Sequence, residues 1–169
     1  MADYFRTITD DQADLIRNAK LFFVASVDPS HEPGPHGVGP VNLSPKGGVP
    51  LHIIDRNRVA YLDYTGSGNE TARHALANGP VTVMICSFEQ ENAAVVRLYG
   101  KATITSVADS LLGAQLMESR ATAIALPERQ VIDISIDSTV TSCGYGVPVM
   151  TDTRDRGVPD RGRRYKDKK

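Results

Sequence analysis

Residues 62–71 have the sequence Leu-Asp-Tyr-Thr-Gly-Ser-Gly-Asn-Glu-Thr, which predicts the end of a strand, a tight turn and the start of a helix. Gly66 and Gly68 allow the backbone to turn sharply and to approach a ligand closely. Ser67, Asn69 and Thr71 place short polar side chains beside helix N-terminal amides, which have no partner within the helix. Together with the helix dipole, these groups favour an anion such as a phosphate. The alternative is a turn capped by Ser or Asn that binds no ligand.

The segments on both sides of this turn predict a sheet. Stretches rich in β-branched and aromatic residues are typical of strands, and they lie at 21–27, 41–44, 51–55, 59–63, 80–88, 94–105 and 131–137. Residues 45–48 predict a turn, and helices are predicted at 9–20, 70–77 and 109–120. The first helix begins with a capping box formed by Thr9 and Gln12. Short connections between six or seven strands favour an antiparallel barrel, and no Rossmann or P-loop motif is present.

Composition excludes several classes of protein. The net charge of −1 over 169 residues produces no overall positive electrostatic field that would attract nucleic acid. No apolar run is long enough to span a bilayer. Cys86 and Cys143 form no CxxC pair, and the histidines lack metal-ligand spacing, so no metal site is predicted. The polar N-terminus does not resemble a signal peptide, so we expect a soluble, cytoplasmic protein. Residues 1–150 predict one domain, and the charged segment 151–169 predicts a flexible tail rather than a nucleic-acid-binding arm.

Five motifs occur in an order that resembles the pyridoxamine 5'-phosphate oxidase-like family of FMN-binding split barrels. They lie at 41–47, 63–71, 84–88, 97–100 and 142–148. The resemblance implies a mostly β (α+β) fold, a six-stranded antiparallel split β-barrel with peripheral helices. It also implies a homodimer with two FMN sites at its interface.

The resemblance implies that the isoalloxazine ring lies along residues 41–46. Main-chain groups of Asn42, Leu43 and Ser44 would bond the polar edge of the ring. Lys46 would place a cation near N1 and C2=O, although a lysine in such a turn can equally be solvated. Cys143 would form a wall of the pocket.

The same resemblance assigns the other half of the cofactor to the glycine turn. Tyr64 and Thr65 would stand beside the ribityl chain. The phosphate would be held by Ser67, Asn69 and Thr71. Family members with pyridoxamine phosphate oxidase activity carry an Arg/Lys pair in this turn, which Gly-Asn-Glu-Thr replaces here, so another cation is needed. Arg97 is the candidate clamp, because arginine binds phosphate through a planar fork; the alternative is an arginine on the solvent face of its strand. His74 could assist, but a position on the helix surface is the simpler interpretation.

The chain also departs from the family where the substrate would bind. It has no tryptophan, and its C-terminal segment lacks the Trp- and Arg-containing signature that grips pyridoxamine phosphate. We therefore expect an FMN-dependent oxidoreductase with another small-molecule substrate and an electron donor such as NADH or NADPH, with no side chain assigned as catalytic. The alternatives are an F420-dependent reductase of the same fold and a non-catalytic flavin-binding protein.

Overall fold

The computed structural model describes residues 2–66, 68–119, 126–151 and 154. Eight strands in this part of the chain are β1 (Ala2–Phe5), β2 (Leu21–Val27), β3 (Val41–Gly47), β4 (His52–Asp55), β5 (Arg58–Tyr64), β6 (Pro80–Cys86), β7 (Ala94–Thr105) and β8 (Glu128–Cys143). The helices are α1 (Asp10–Asn18), α2 (Glu70–Leu76) and α3 (Gly113–Glu118), with a 3-10 turn at Pro35–Gly37. No helix among these residues is long and apolar enough to cross a membrane.

The strands form one antiparallel sheet whose ends do not meet. Its order is β3-β2-β6-β7-β8-β5-β4, and β1 adds to β8 beside this path. Within the described residues β3 and β4 each pair with one neighbour only, so the barrel is split between them. The prediction of a mostly antiparallel split barrel with peripheral helices is confirmed, but the predicted number of six strands is wrong, since the described residues form eight.

Three strands differ from their predicted bounds. β1 was not predicted, and it pairs with residues 139–142 of β8. β8 extends over 16 residues rather than 131–137, because its polar second half has β1 on one side and β7 on the other. The predicted turn at 45–48 is also wrong, since Pro45 and Lys46 continue β3 opposite Phe23 and Phe22. An edge strand tolerates proline because its outer N–H has no ladder partner to lose.

The main core fills the inner face of the sheet. It includes Phe22 and Tyr61, whose rings meet edge to face with centroids 5.4 Å apart, and α1 packs on it through Ile16. A second cluster covers the opposite face of β5, where Leu62 packs near Leu116 of α3. α3 is shorter than the predicted 109–120, and Arg120 lies outside the described residues.

The predicted start signal of α1 and the predicted stop signal of α2 are both present, although the stop uses a different residue from the one predicted. Thr9 and Gln12 form the capping box of α1. At the end of α2 the left-handed residue is Asn78, with φ of 63°, rather than Gly79. Gly79 is needed for a different reason, because a Cβ there would collide with the carbonyl oxygen of Val27.

Candidate functional site

A cleft of about 350 Å³ lies between β3, the end of β5 and the start of α2. Five of the predicted site residues line it: Ser44, Lys46, Tyr64, Asn69 and Thr71. The glycine turn contributes Gly66 and Gly68, while Ser67 lies outside the described residues. The structure thus brings the lysine segment and the glycine turn together, as the sequence predicted.

The register of β3 decides which of its side chains face the cleft. Ser44 lies opposite Val24, and Lys46 lies opposite Phe22, and both of these partners are core residues. Asn42, Ser44 and Lys46 therefore share the inner face, because side chains two residues apart point to the same side. Leu43 points outward and is 63% exposed, so only its main chain could contribute to the cleft.

Asn42 connects β3 to α2. Its Nδ2 donates to Ser44 Oγ at 3.1 Å and to Thr71 Oγ1 at 3.2 Å. These bonds hold the inner face of β3 against the first turn of the helix. Asn42 and Thr71 thus fix the width of the cleft at this end.

The centre of the cleft is a carboxylate that sequence analysis did not single out. Asp63 is 6% exposed. Its Oδ1 accepts from Lys46 Nζ at 3.2 Å, and its Oδ2 accepts from Arg129 Nε at 3.0 Å and Nη2 at 2.6 Å. Gln130 Nε2 also donates to Oδ2, at 2.9 Å. The two cations are therefore held at fixed positions, and Lys46 Nζ also lies 5.6 Å from the centre of the Tyr61 ring.

Arg129 and Gln130 also hold the glycine turn. Arg129 Nη2 donates to the carbonyl oxygen of Gly68 at 3.0 Å, and Gln130 Nε2 donates to Asn69 Oδ1 at 2.8 Å. Because its oxygen accepts from Gln130, Asn69 makes no side-chain capping bond at the start of α2. The interpretation of an Asn-capped turn therefore does not hold for Asn69.

Besides Asn42 and Leu43 of β3, three described residues of the predicted site do not line the cleft: Thr65, Arg97 and Cys143. Arg97 Nη1 donates to Ser142 Oγ at 3.0 Å, on the next strand of the sheet. Thr65 donates through its backbone N–H to the carbonyl oxygen of Pro127. Cys143 is exposed at the end of β8 rather than in a segment that follows the last strand. Their roles in cofactor binding stay predictions, and none of them faces the cleft within this chain.

His74 is fully buried, so the interpretation as a helix-surface histidine is wrong. Its Nε2 lies 2.9 Å from Arg73 Nη2, and its Nδ1 lies 2.9 Å from Ser26 Oγ. A guanidinium can only donate, so Nε2 accepts and Nδ1 carries the proton. Arg73 also pairs with Asp28, and the network joins α2 to β2 and its following loop.

Bonds from the Ser30 side chain and backbone, with Arg73 adding to them, lower the pKa of Asp28. In this part of the molecule the charges hold the fold together rather than face the cleft. Among the described residues no group of three His, Cys, Asp or Glu side chains could hold a metal ion.

A model of the family described as pyridoxamine 5'-phosphate oxidase matches residues 8–143. The chain belongs to this family. The family protein ustO of Aspergillus flavus is 31% identical over 158 residues, which cover 92% of this chain and 59% of that protein. The chain thus spans about three fifths of the length of this relative.

Two solved structures share the fold. HupZ of Group A Streptococcus has a TM-score of 0.57 at 23% identity, over 76% of this chain and 89% of that one. An FMN-binding protein from Syntrophomonas wolfei has a TM-score of 0.56 at 12% identity, over 76% of this chain and 81% of that one. At these identities the likeness shows the fold alone.

Proposed function

We propose that the protein is an FMN-dependent oxidoreductase and that the cleft between β3 and the glycine turn holds the FMN. The observation that carries this proposal is the pair of fixed cations, Lys46 and Arg129, held by the two carboxylate oxygens of Asp63 in a cleft lined by the glycine turn, in a member of this family. When bound, the flavin would supply the electron-transfer chemistry, and the protein would supply position, charge and exclusion of water.

The donors in the cleft fit a phosphate monoester. Lys46 has three donor protons and makes one bond to the described residues, to Asp63. Arg129 uses Nε and Nη2, and its Nη1 makes no bond to any residue in the described part of the chain. A Cβ on Gly66 would make only an ordinary contact, 3.9 Å from the carbonyl oxygen of Tyr64, whereas at Gly68 the carboxylate of Glu70 lies against the backbone. A phosphate could therefore approach the turn on the side of Gly66.

The main chain of β3 fits the polar edge of the ring. As an edge strand, β3 has N–H and C=O groups that point away from β2. These groups belong to the segment that contains Asn42, Leu43 and Ser44, beside the ammonium group of Lys46. In this arrangement the ammonium group of Lys46 would face both the ring and the phosphate, and Arg129 would take the phosphate role that the sequence assigned to Arg97.

The outer face of β3 supports a homodimer as part of this proposal. Val41 and Leu43 are 66% and 63% exposed, and neighbouring apolar side chains on an outer sheet face are typical of interaction surfaces. A second copy that covers them would also shield the cofactor from water. Light scattering of the purified protein measures this directly, and a monomer at micromolar concentration would contradict it.

The proposal is tested on the purified protein by its visible spectrum and by the mass of the small molecule released on denaturation. FMN is the expected result, and a deazaflavin or no bound cofactor after incubation with FMN would contradict it. Lys46→Gln should lose FMN more readily than Lys101→Gln, its control, because Lys101 is exposed on β7. Reduction of the bound flavin by NADH or NADPH then tests the oxidoreductase activity, and a flavin that no donor reduces would indicate a binding protein.

A further inference from the structure

Among the residues that the structure describes, four charged side chains line the cleft, and their formal charges sum to zero. Lys46 and Arg129 are cationic, and Asp63 and Glu70 are anionic. A site for a dianionic phosphate would gain most from an excess of positive charge. This balance therefore requires an explanation.

Asp63 is the anion with the stronger influence on both cations. It contacts Lys46 through Oδ1 and Arg129 through Oδ2, and its side chain is 7% exposed. Glu70 is half-buried at the start of α2, beside the backbone of Gly68. Charges shielded from solvent are screened less than exposed ones, so Asp63 offsets the cations more strongly than Glu70 does.

We propose that Asp63 determines how strongly the cleft prefers a phosphorylated ligand over its unphosphorylated form. This inference rests on the proposed function, since it places the cofactor phosphate beside Lys46 and Arg129. Asp63 holds the two cations in place when no anion is bound, because they would otherwise repel each other. Its charge then opposes the incoming phosphate, so the cleft binds the phosphate less tightly than two unopposed cations would.

The test compares FMN with riboflavin, which has the same ring but no phosphate. The ratio of their dissociation constants, measured by flavin fluorescence, reports the contribution of the phosphate alone. Asp63→Asn should raise the preference for FMN by roughly tenfold, which corresponds to about 1.4 kcal/mol, while riboflavin affinity changes much less. If Asp63→Asn weakens the binding of FMN and of riboflavin by the same factor, or otherwise leaves the ratio of their dissociation constants unchanged, the inference is overturned.

Asp133→Asn is the matched control. Asp133 forms an ion pair with Arg58 through a similarly shielded carboxylate, but it does not line the cleft. The ratio of the FMN and riboflavin dissociation constants in Asp133→Asn should equal that of the wild type. If its preference for FMN rises as much as that of Asp63→Asn, the effect is a general one of charge removal and the inference is overturned.

Lys46→Gln provides a second test that does not require Asp63→Asn to fold. With Lys46 removed, Arg129 alone faces the phosphate against the same Asp63 carboxylate, so the preference of this variant for FMN over riboflavin should fall below that of the wild type. A preference for FMN as large as that of the wild type would contradict the inference.

Inorganic phosphate separates failure of this inference from failure of the proposed function. If no variant binds either flavin, the proposed function is wrong. The rise in melting temperature with phosphate, at constant ionic strength, then tests Asp63 by itself. A larger rise in Asp63→Asn than in Asp133→Asn supports the role of Asp63, and equal rises overturn it.

Discussion

Replacing Arg129 by alanine distinguishes the phosphate clamp proposed from the structure from the one predicted by the sequence. Arg129 lines the cleft and binds both Asp63 and the Gly68 carbonyl. Arg97 donates to Ser142 and does not line the cleft. Arg129→Ala and Arg97→Ala remove the same group from neighbouring parts of one sheet, so each serves as the control for the other.

The expected size of the effect follows from the bonds that Arg129 can make. A hydrogen bond to a charged group contributes about 1.5–3 kcal/mol, so the loss of one such bond to phosphate weakens FMN binding by about 10- to 150-fold. Arg129→Ala also leaves the carboxylate of Asp63 opposed by Lys46 alone among the cleft cations, which adds repulsion of the phosphate. Arg97→Ala should change FMN affinity by less than about threefold, because its guanidinium bonds outside the cleft.

Both affinities are measured by titrating the apoprotein into FMN and following the loss of flavin fluorescence. Thermal unfolding of each variant without flavin shows whether it folds. The assignment of the phosphate clamp to Arg129 would be refuted if Arg97→Ala lost tenfold or more in FMN affinity while Arg129→Ala kept the affinity of the wild type. That result would place the phosphate near Arg97, on β7.

Three further predictions concern stability. A carboxylate whose pKa is lowered in the folded state stabilises the fold at pH values above its unfolded pKa of about 4. Because the pKa of Asp28 is lowered, Asp28→Asn should destabilise the protein near pH 7. The difference in free energy of unfolding between wild type and variant, measured by urea titration, should shrink below about pH 4. Tyr61→Phe should leave stability unchanged or raise it by about 1 kcal/mol, because the buried hydroxyl bonds to no described residue; a loss above 1 kcal/mol would indicate a partner. Gln12→Ala should cost about 2–3 kcal/mol, since it breaks the bond with Thr139 inside the core, whereas exposed Gln115→Ala should have little effect on the melting temperature.

Local patterns predicted the elements whose ends carry their own signals. β2 has its predicted bounds because polar residues and the turn at Asp28-Pro29 flank an apolar run. The start of α1 is marked by Thr9 and Gln12. β3 extended past its predicted end because the effect of Pro45 depends on whether the strand lies at an edge. One sequence does not show which strand has that position.

The site was predicted where its residues are close in sequence and missed where they are distant. Lys46 and the glycine turn carry short motifs, and Lys46, Tyr64, Asn69 and Thr71 line the cleft. Arg129 reaches Asp63 from 66 positions away, through the pairing of Asp63 with Gln130 between β5 and β8. Such long-range register depends on the whole sheet, so the sequence offered no signal that joined the two.

The tail predicted for residues 151–169 lies outside the described residues except for Thr151 and Arg154, and its flexibility stays a prediction. The division into a domain at 1–150 and a tail is likewise untested by the fold. The family match ends at residue 143, before that segment begins.

The position of β8 as the last strand determines when the cleft can form during synthesis on the ribosome. A nascent chain that has reached residue 119 contains Lys46 and Asp63, but it lacks Arg129 and the strand that joins β5 to β7. Until β8 emerges, the β3-β2-β6-β7 and β4-β5 parts of the sheet have no strand between them. Pairing over such sequence distances is slow. Ligand capture by the cleft must therefore follow the emergence of β8.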